Sequence, residues 1–140
     1  MSTPPSIRRV LETALYVDDL ERAGTFYHEV LGLRSLVSGE RLNAFHAGEG
    51  TVLLLFQRGA TASGAGGPGE WVPPHDGSGP THFAFAVDAE QVPRWREHLE
   101  SRGIDIEHEI EWPRGGRSLY FRDPDDHLVE LATPGVWEVY

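Results

Sequence analysis

The sequence predicts an α+β fold assembled from two βαβββ modules, and three observations carry that prediction. The order strand, amphipathic helix, three strands is read twice along the chain. A faint internal repeat lays Glu12–Asp18 over His82–Asp88 and Phe45–Phe56 over Phe121–Ala132. Between the two copies, residues 58–80 carry Gly64, Gly66, Gly67, Gly69, Pro73, Pro74, Gly77 and Gly79, a composition that makes a loop or linker. A single domain over residues 7–133 follows, with a first module at about 7–57 and a second at about 81–133.

Residues 7–17, with Val10, Leu15 and Val17 among the β-formers, read as the opening strand, which Asp18-Asp19 ends. The next segment has capping-box spacing between Asp18 and Glu21. Its Leu20, Ala23, Phe26, Tyr27, Val30 and Leu31 share one helical face, and Gly32 stands where a C′ glycine would stop the helix. Three short strands are expected at about 33–38, 41–47 and 51–57, the last around a buried-looking Val52-Leu53-Leu54-Leu55-Phe56. The second half replays the pattern with a strand at 81–88 and a helix near 89–102. That helix has Val92, Trp95 and Leu99 on one face, Pro93 in or near its first turn and Gly103 at its end. Strands at about 104–111, 117–122 and 127–132 complete it, the last two joined by a turn at Asp123-Pro124-Asp125-Asp126.

Composition narrows the function classes. Hydrophobic residues make up 39% of the 140 positions and charged residues 24%, enough for a packed interior. A formal net charge of −10 works against binding nucleic-acid backbones or anionic membranes, and a small-molecule partner is expected instead. The chain has no cysteine, which removes disulfides, thiolate chemistry and Cys-based zinc sites. The polar, Pro-containing N-terminal stretch has no apolar core of signal-peptide length, and no run has the length of a membrane span, so a soluble cytoplasmic protein is expected.

The repeat pairs Glu12 with His82 and Leu54 with Glu130. Equivalent residues of paired sheets face one cleft, so a pseudo-twofold axis would gather these four positions, three of which can bind a metal. Glu130 lies between Val129 and Leu131 and should face away from them, because an inward carboxylate without a partner is costly. Each donor also has an ordinary reading: Glu12 as an exposed residue near a strand start, His82 as a hydrogen-bonded strand histidine.

Two long stretches resemble a known family. The run Tyr16-Val17-Asp18-Asp19-Leu20 with Phe26-Tyr27-His28-Glu29-Val30-Leu31-Gly32-Leu33 is similar to the opening of the vicinal oxygen chelate superfamily. That superfamily includes glyoxalase I, fosfomycin-resistance enzymes, extradiol dioxygenases and bleomycin-resistance proteins. Tyr120-Phe121-Arg122-Asp123-Pro124-Asp125-Asp126-His127-Leu128-Val129-Glu130-Leu131 resembles its final hairpin, and His82-Phe83-Ala84-Phe85 the start of its second module. Asp126 departs from the Gly found in many relatives, so a locally adapted turn is expected there. The resemblance implies a paired, curved mixed sheet and a homodimer, with Glu12 from one subunit and His82 and Glu130 from the other as one possible arrangement.

The resemblance also implies that Glu12, His82 and Glu130 form a facial triad for a divalent cation, with open positions for two substrate oxygens. Two carboxylates and one imidazole favour Mn²⁺, Fe²⁺, Mg²⁺ or Zn²⁺ over Cu(I), with Ni²⁺ a further candidate. Family enzymes often have His where this chain has Glu12, which leaves the metal open. Glu12 and Glu130 are also candidate catalytic bases. Candidate substrate-binding residues are Trp71, Trp112, Phe45 and Tyr120 for stacking or hydroxyl contact, Leu54 on the cleft, and Arg117, which with Arg114 brackets Gly115-Gly116. His46 and His75 could approach the cleft, whereas His28, His98 and His127 are expected to face solvent.

The leading expectation is a glyoxalase- or dioxygenase-like metalloenzyme acting as a lyase, isomerase or dioxygenase on a small oxygen-rich substrate. The alternative is a metal-free protein that binds an aromatic or drug-like ligand, favoured by the four tryptophans and by Leu54. A third reading is a dimer scaffold without activity. In each, the 58–80 loop is either a lid over the pocket or a connector.

Overall fold

The computed structural model describes residues 2–140. Two four-stranded sheets are built by two βαβββ modules, as the repeat predicts. Module one contains β1 (Glu12–Val17), α1 (Leu20–Thr25), β2 (Arg34–Ser38), β3 (Leu42–His46) and β4 (Val52–Gln57). Module two contains β5 (His82–Ala86), α2 (Val92–Ser101), β6 (His108–Glu111), β7 (Arg117–Arg122) and β8 (Leu128–Ala132). The strand orders β1-β4-β3-β2 and β5-β8-β7-β6 are equivalent. In each sheet the first strand pairs in parallel with the last, and the other pairs are antiparallel.

Alternation along the strands builds one core from both modules. Leu15, Val17, Phe45, Leu53 and Leu55 on one sheet join Leu119, Phe121, Val129 and Leu131 on the other, with Ala23, Phe26 and Tyr27 of the first helical segment among them. Phe26 meets Phe121 at a ring separation of 6.4 Å, and Tyr27 meets Phe83 at 6.3 Å. Each sheet therefore turns one face inward and leaves the other available for a site. Those outer faces carry Glu12, Ala14 and Leu54 on module one and His82, Ala84 and Glu130 on module two.

Element ends differ from the expected ones in both modules. The opening strand begins at Glu12, whose register partner is Val52, the first residue of β4; residues 7–11 have no strand to pair with. β6 begins at His108, opposite Tyr120, four residues later than expected, although its partner β7 runs on to Arg122. The first helix is capped by Asp19, whose carboxylate accepts the Arg22 N–H at 3.0 Å. Asp18, expected in that role, binds Arg58 Nε at 2.7 Å. After Thr25 the helix widens into a π-helical turn, Phe26–Val30, closed by Leu31 N–H donating to Phe26 O, and Gly32 follows at φ 70°.

The Asp126 turn is adapted as expected. Asp126 takes φ 65°, and the preceding Asp123 Oδ1 accepts the N–H groups of Asp125 and His127, both at 2.9 Å. Among the described residues, no helix is long and apolar enough to cross a membrane.

Candidate functional site

Glu130 is the polar centre of module two's outer face. It sits on β8 between Val129 and Leu131, both in the core, so its carboxylate points to the opposite side, yet only 7% of the residue is exposed. A buried carboxylate requires partners. Ser118 on neighbouring β7 donates to Oε2 at 2.5 Å, and Trp112 Nε1–H donates to the Ser118 hydroxyl at 2.8 Å. This relay fixes one carboxylate oxygen and leaves Oε1 facing His82 Nε2 at 3.2 Å.

The state of His82 follows from its other nitrogen. Nδ1 lies 2.9 Å from the Leu128 carbonyl oxygen. A carbonyl can only accept, so Nδ1 carries the proton and a neutral ring has its lone pair on Nε2. That lone pair then points at a carboxylate oxygen, an arrangement that calls for a shared proton or a shared cation. Donation of the second ring N–H to a backbone carbonyl is also how metal-bound imidazoles are oriented. The residues thus fit a divalent cation.

Tyr120 lies opposite Glu130 in the β7–β8 register, with its ring 6.3 Å from that of His82. Burial, together with the Glu130 charge, holds its phenol above the usual tyrosine range, although the Ser118 hydroxyl pulls it down. It is therefore a protonated donor beside the pair at neutral pH.

Glu12 lies apart from this cluster, on the outer face of the other sheet. Among the described residues, no three His, Cys, Asp or Glu side chains come together in a group able to hold a metal. Glu12 instead opens into a cavity of about 550 Å³ whose floor is Ala14, Leu42, Leu54 and Phe56. Its roof is the 58–80 segment, which brings Ala65 and Val72 over that floor through a pair of backbone hydrogen bonds between them, at 3.0 and 2.7 Å. His75 forms a wall, accepting the Tyr16 hydroxyl at 2.6 Å and meeting the Phe56 ring edge-on at 4.7 Å.

Other expected residues separate by strand parity. Leu54 lines the cavity, and Trp112 belongs to the Glu130 relay. Trp71 is exposed on the flap, packed over Gly64, where a Cβ would come within 2.5 Å of the indole nitrogen. Phe45 corrects the expectation of a stacking surface: it is 3% exposed, on the core side of β3. Arg117 shares the parity of Leu119 and Phe121, away from Glu130, and lies 3.7 Å from Glu111.

His127 is also a correction, being 1% exposed rather than solvent-facing. Its Nδ1 accepts the Thr81 N–H at 2.9 Å and its Nε2–H donates to Tyr16 O at 3.0 Å, tying the two modules together. His98 is half-buried against Val30 O at 2.7 Å, while His28 is exposed as expected. Ser118 was missed by sequence reasoning, although alternation places it on the face of Tyr120 and in register with Ala132, two residues from Glu130.

Comparison with known proteins adds independent findings. The family model described as Glyoxalase/Bleomycin resistance protein/Dioxygenase superfamily matches residues 9–131. The chain is 32% identical over 120 residues to glutathione transferase FosA of Serratia marcescens, covering 84% of the chain and 74% of that protein. It is 29% identical over 123 residues to fosfomycin resistance protein FosX of Listeria innocua, covering 84% and 83%. Among solved structures, lactoylglutathione lyase of Agrobacterium tumefaciens superposes with a TM-score of 0.85 at 36% identity, covering 97% of this chain and 99% of the other.

Proposed function

We propose, from the premise that this chain belongs to the Glyoxalase/Bleomycin resistance protein/Dioxygenase superfamily, that it is a divalent-metal enzyme acting on a small oxygen-bearing substrate. The observation that carries this reading is His82 Nε2 facing Glu130 Oε1 at 3.2 Å while Nδ1 is committed to a backbone carbonyl. His82 and Glu130 would hold the cation. A third donor, Glu12, would come from a second copy of the chain, because it stands on the opposite sheet within one copy.

A divalent cation bound there supplies Lewis-acid polarisation of substrate oxygens. The rest of the chemistry belongs to this chain's side chains. Ser118, held by Trp112, fixes Glu130 Oε2 and so keeps Oε1 and His82 in one orientation. Tyr120 offers a protonated hydroxyl beside the pair and can donate to a substrate oxygen. Glu12 is an exposed carboxylate able to accept a proton from a bound substrate. The relatives named for glutathione or fosfomycin make hemithioacetals, and epoxides offered with glutathione, the first compounds to test.

The test is elemental analysis of tag-free protein purified without chelators, beside Glu130→Gln. About one divalent metal per chain, lost in the variant, is the expected result. Protein that stays metal-free after supplementation overturns the reading. A second reading, a metal-free binding protein, is favoured by Leu54 at the position equivalent to Glu130 and by the apolar cavity around it. Ligand binding by protein that stays metal-free after supplementation would support it.

A further inference from the structure

We infer that the cavity under the 58–80 flap is a specificity chamber for a neutral aryl or branched-alkyl substituent of the substrate, an inference that rests on the metal-centred reading for its position next to the chelating group. Three features carry it. The volume, about 550 Å³, lies in the range of small-molecule sites and exceeds what water alone would need. The surfaces facing each other are apolar: Leu42, Leu54 and Phe56 below, Ala65 and Val72 above. The cavity also opens beside Glu12, the carboxylate of module one that faces outward, so a molecule chelated there has its remainder directed either to solvent or into the chamber.

Leu54 gives the chamber its character. It occupies the repeat position that Glu130 holds in module two, and it replaces an oxygen donor with a branched alkyl group. A second carboxylate beside Glu12 would have added a ligand and a charge; Leu54 makes that wall apolar. The polar groups at the margin are Glu12, Arg41, Glu70 and His75. His75 Nδ1 is held by the Tyr16 hydroxyl at 2.6 Å, so the polar groups stand at the margin while the facing floor and roof are apolar. A ring or isopropyl group loses apolar surface to the floor and roof, which is the gain that a hydrophilic substituent lacks.

Hydroxamates chelate through two adjacent oxygens and differ only in their tail, so acetohydroxamate and benzohydroxamate probe the chamber directly. Calorimetric titration of the full chain supplemented with Mn²⁺, corrected for the affinity of each hydroxamate for free Mn²⁺, is expected to show benzohydroxamate binding about tenfold or more tightly. Val72→Asp, on the exposed flap where folding is least at risk, is expected to shrink that preference several-fold. Leu54→Asp is the corresponding floor variant.

A second readout needs no metal: benzyl alcohol added to metal-free protein with labelled methyl groups is expected to shift the Leu54 and Val72 resonances. Equal binding of both hydroxamates overturns the chamber and leaves the metal reading standing. No hydroxamate binding with intact methyl shifts overturns the metal reading and retains the chamber. Absence of methyl shifts, as when a second copy of the chain already fills the cavity, also overturns the chamber.

Discussion

At the scale of single residues, the Tyr27–Asp123 pair shows how a buried carboxylate is kept. Tyr27 donates to Asp123 Oδ2 at 2.7 Å, and the two backbone donors of the turn reach Oδ1. Burial raises the Asp123 carboxyl above its ordinary range, while the Tyr27 hydroxyl and the backbone donors of Asp125 and His127 oppose that rise. Burial and the Asp123 charge hold the Tyr27 phenol well above its own range, so it remains a donor. A folded value above the unfolded one means that the stability linked to Asp123 is complete at low pH and declines as pH rises through the folded value. Tyr27→Phe removes a donor to the ionised form and shifts that value further up. The expected penalty is about 1–3 kcal/mol near neutral pH and smaller toward pH ~4, read by urea unfolding at both. A penalty independent of pH would show that Tyr27 acts through packing alone.

At the scale of elements, the flap is held at its base by one guanidinium. Arg58 binds the Asp18 carboxylate at 2.7 Å, Gly77 O at 2.7 Å and Tyr16 O at 3.1 Å. Gly59 N–H donates to Asp76 at 3.0 Å, and the Thr61 hydroxyl donates to His75 O at 2.7 Å. These bonds close the two ends of the segment against β1. Gly77 is required there, because a Cβ would lie 2.5 Å from the Tyr16 ring. Arg58→Ala is expected to raise amide hydrogen exchange at Ala65 and Val72 by about tenfold or more while leaving β7 and β8 unchanged. Unchanged flap protection would place its anchor in the Thr61–His75 contacts instead.

At the scale of the whole molecule, the separation of Glu12 from His82 and Glu130 makes the proposed centre a property of two copies. The modules of one chain share a core through their inner faces, which leaves both donor-bearing faces turned outward. If the centre joins module one of one copy to module two of another, Glu12→Gln and Glu130→Gln variants complement each other. Neither binds metal tightly alone. Unfolded and refolded together, they form mixed dimers in which one of two sites has every donor intact, so metal content recovers to about a quarter of the native level by random pairing. No recovery would confine the site to one chain or dispense with Glu12.

Much of this protein was legible in the amino-acid order because it depends on short-range periodicity. Alternation on β8 sends Glu130 away from Val129 and Leu131, the same alternation sends Leu54 away from Leu53 and Leu55, and the repeated strand–helix–strand pattern requires two equivalent modules. Parity also sets Phe45 and Arg117 on the inner side of their strands, which residue type alone does not reveal. Only the tertiary structure decided what depends on partners distant in the chain. Residues 7–11 fail as a strand because β4 begins only opposite Glu12, and His127 is buried because it bridges to Tyr16, 111 residues away. The proton on His82 is set by the Leu128 carbonyl, the flap covers Leu54 because Arg58 closes its base, and Glu12 is kept from Glu130 because the two sheets pack by their inner faces. Local sequence sets which way a side chain points from its own strand, whereas the groups it meets are set by the packing of the two sheets.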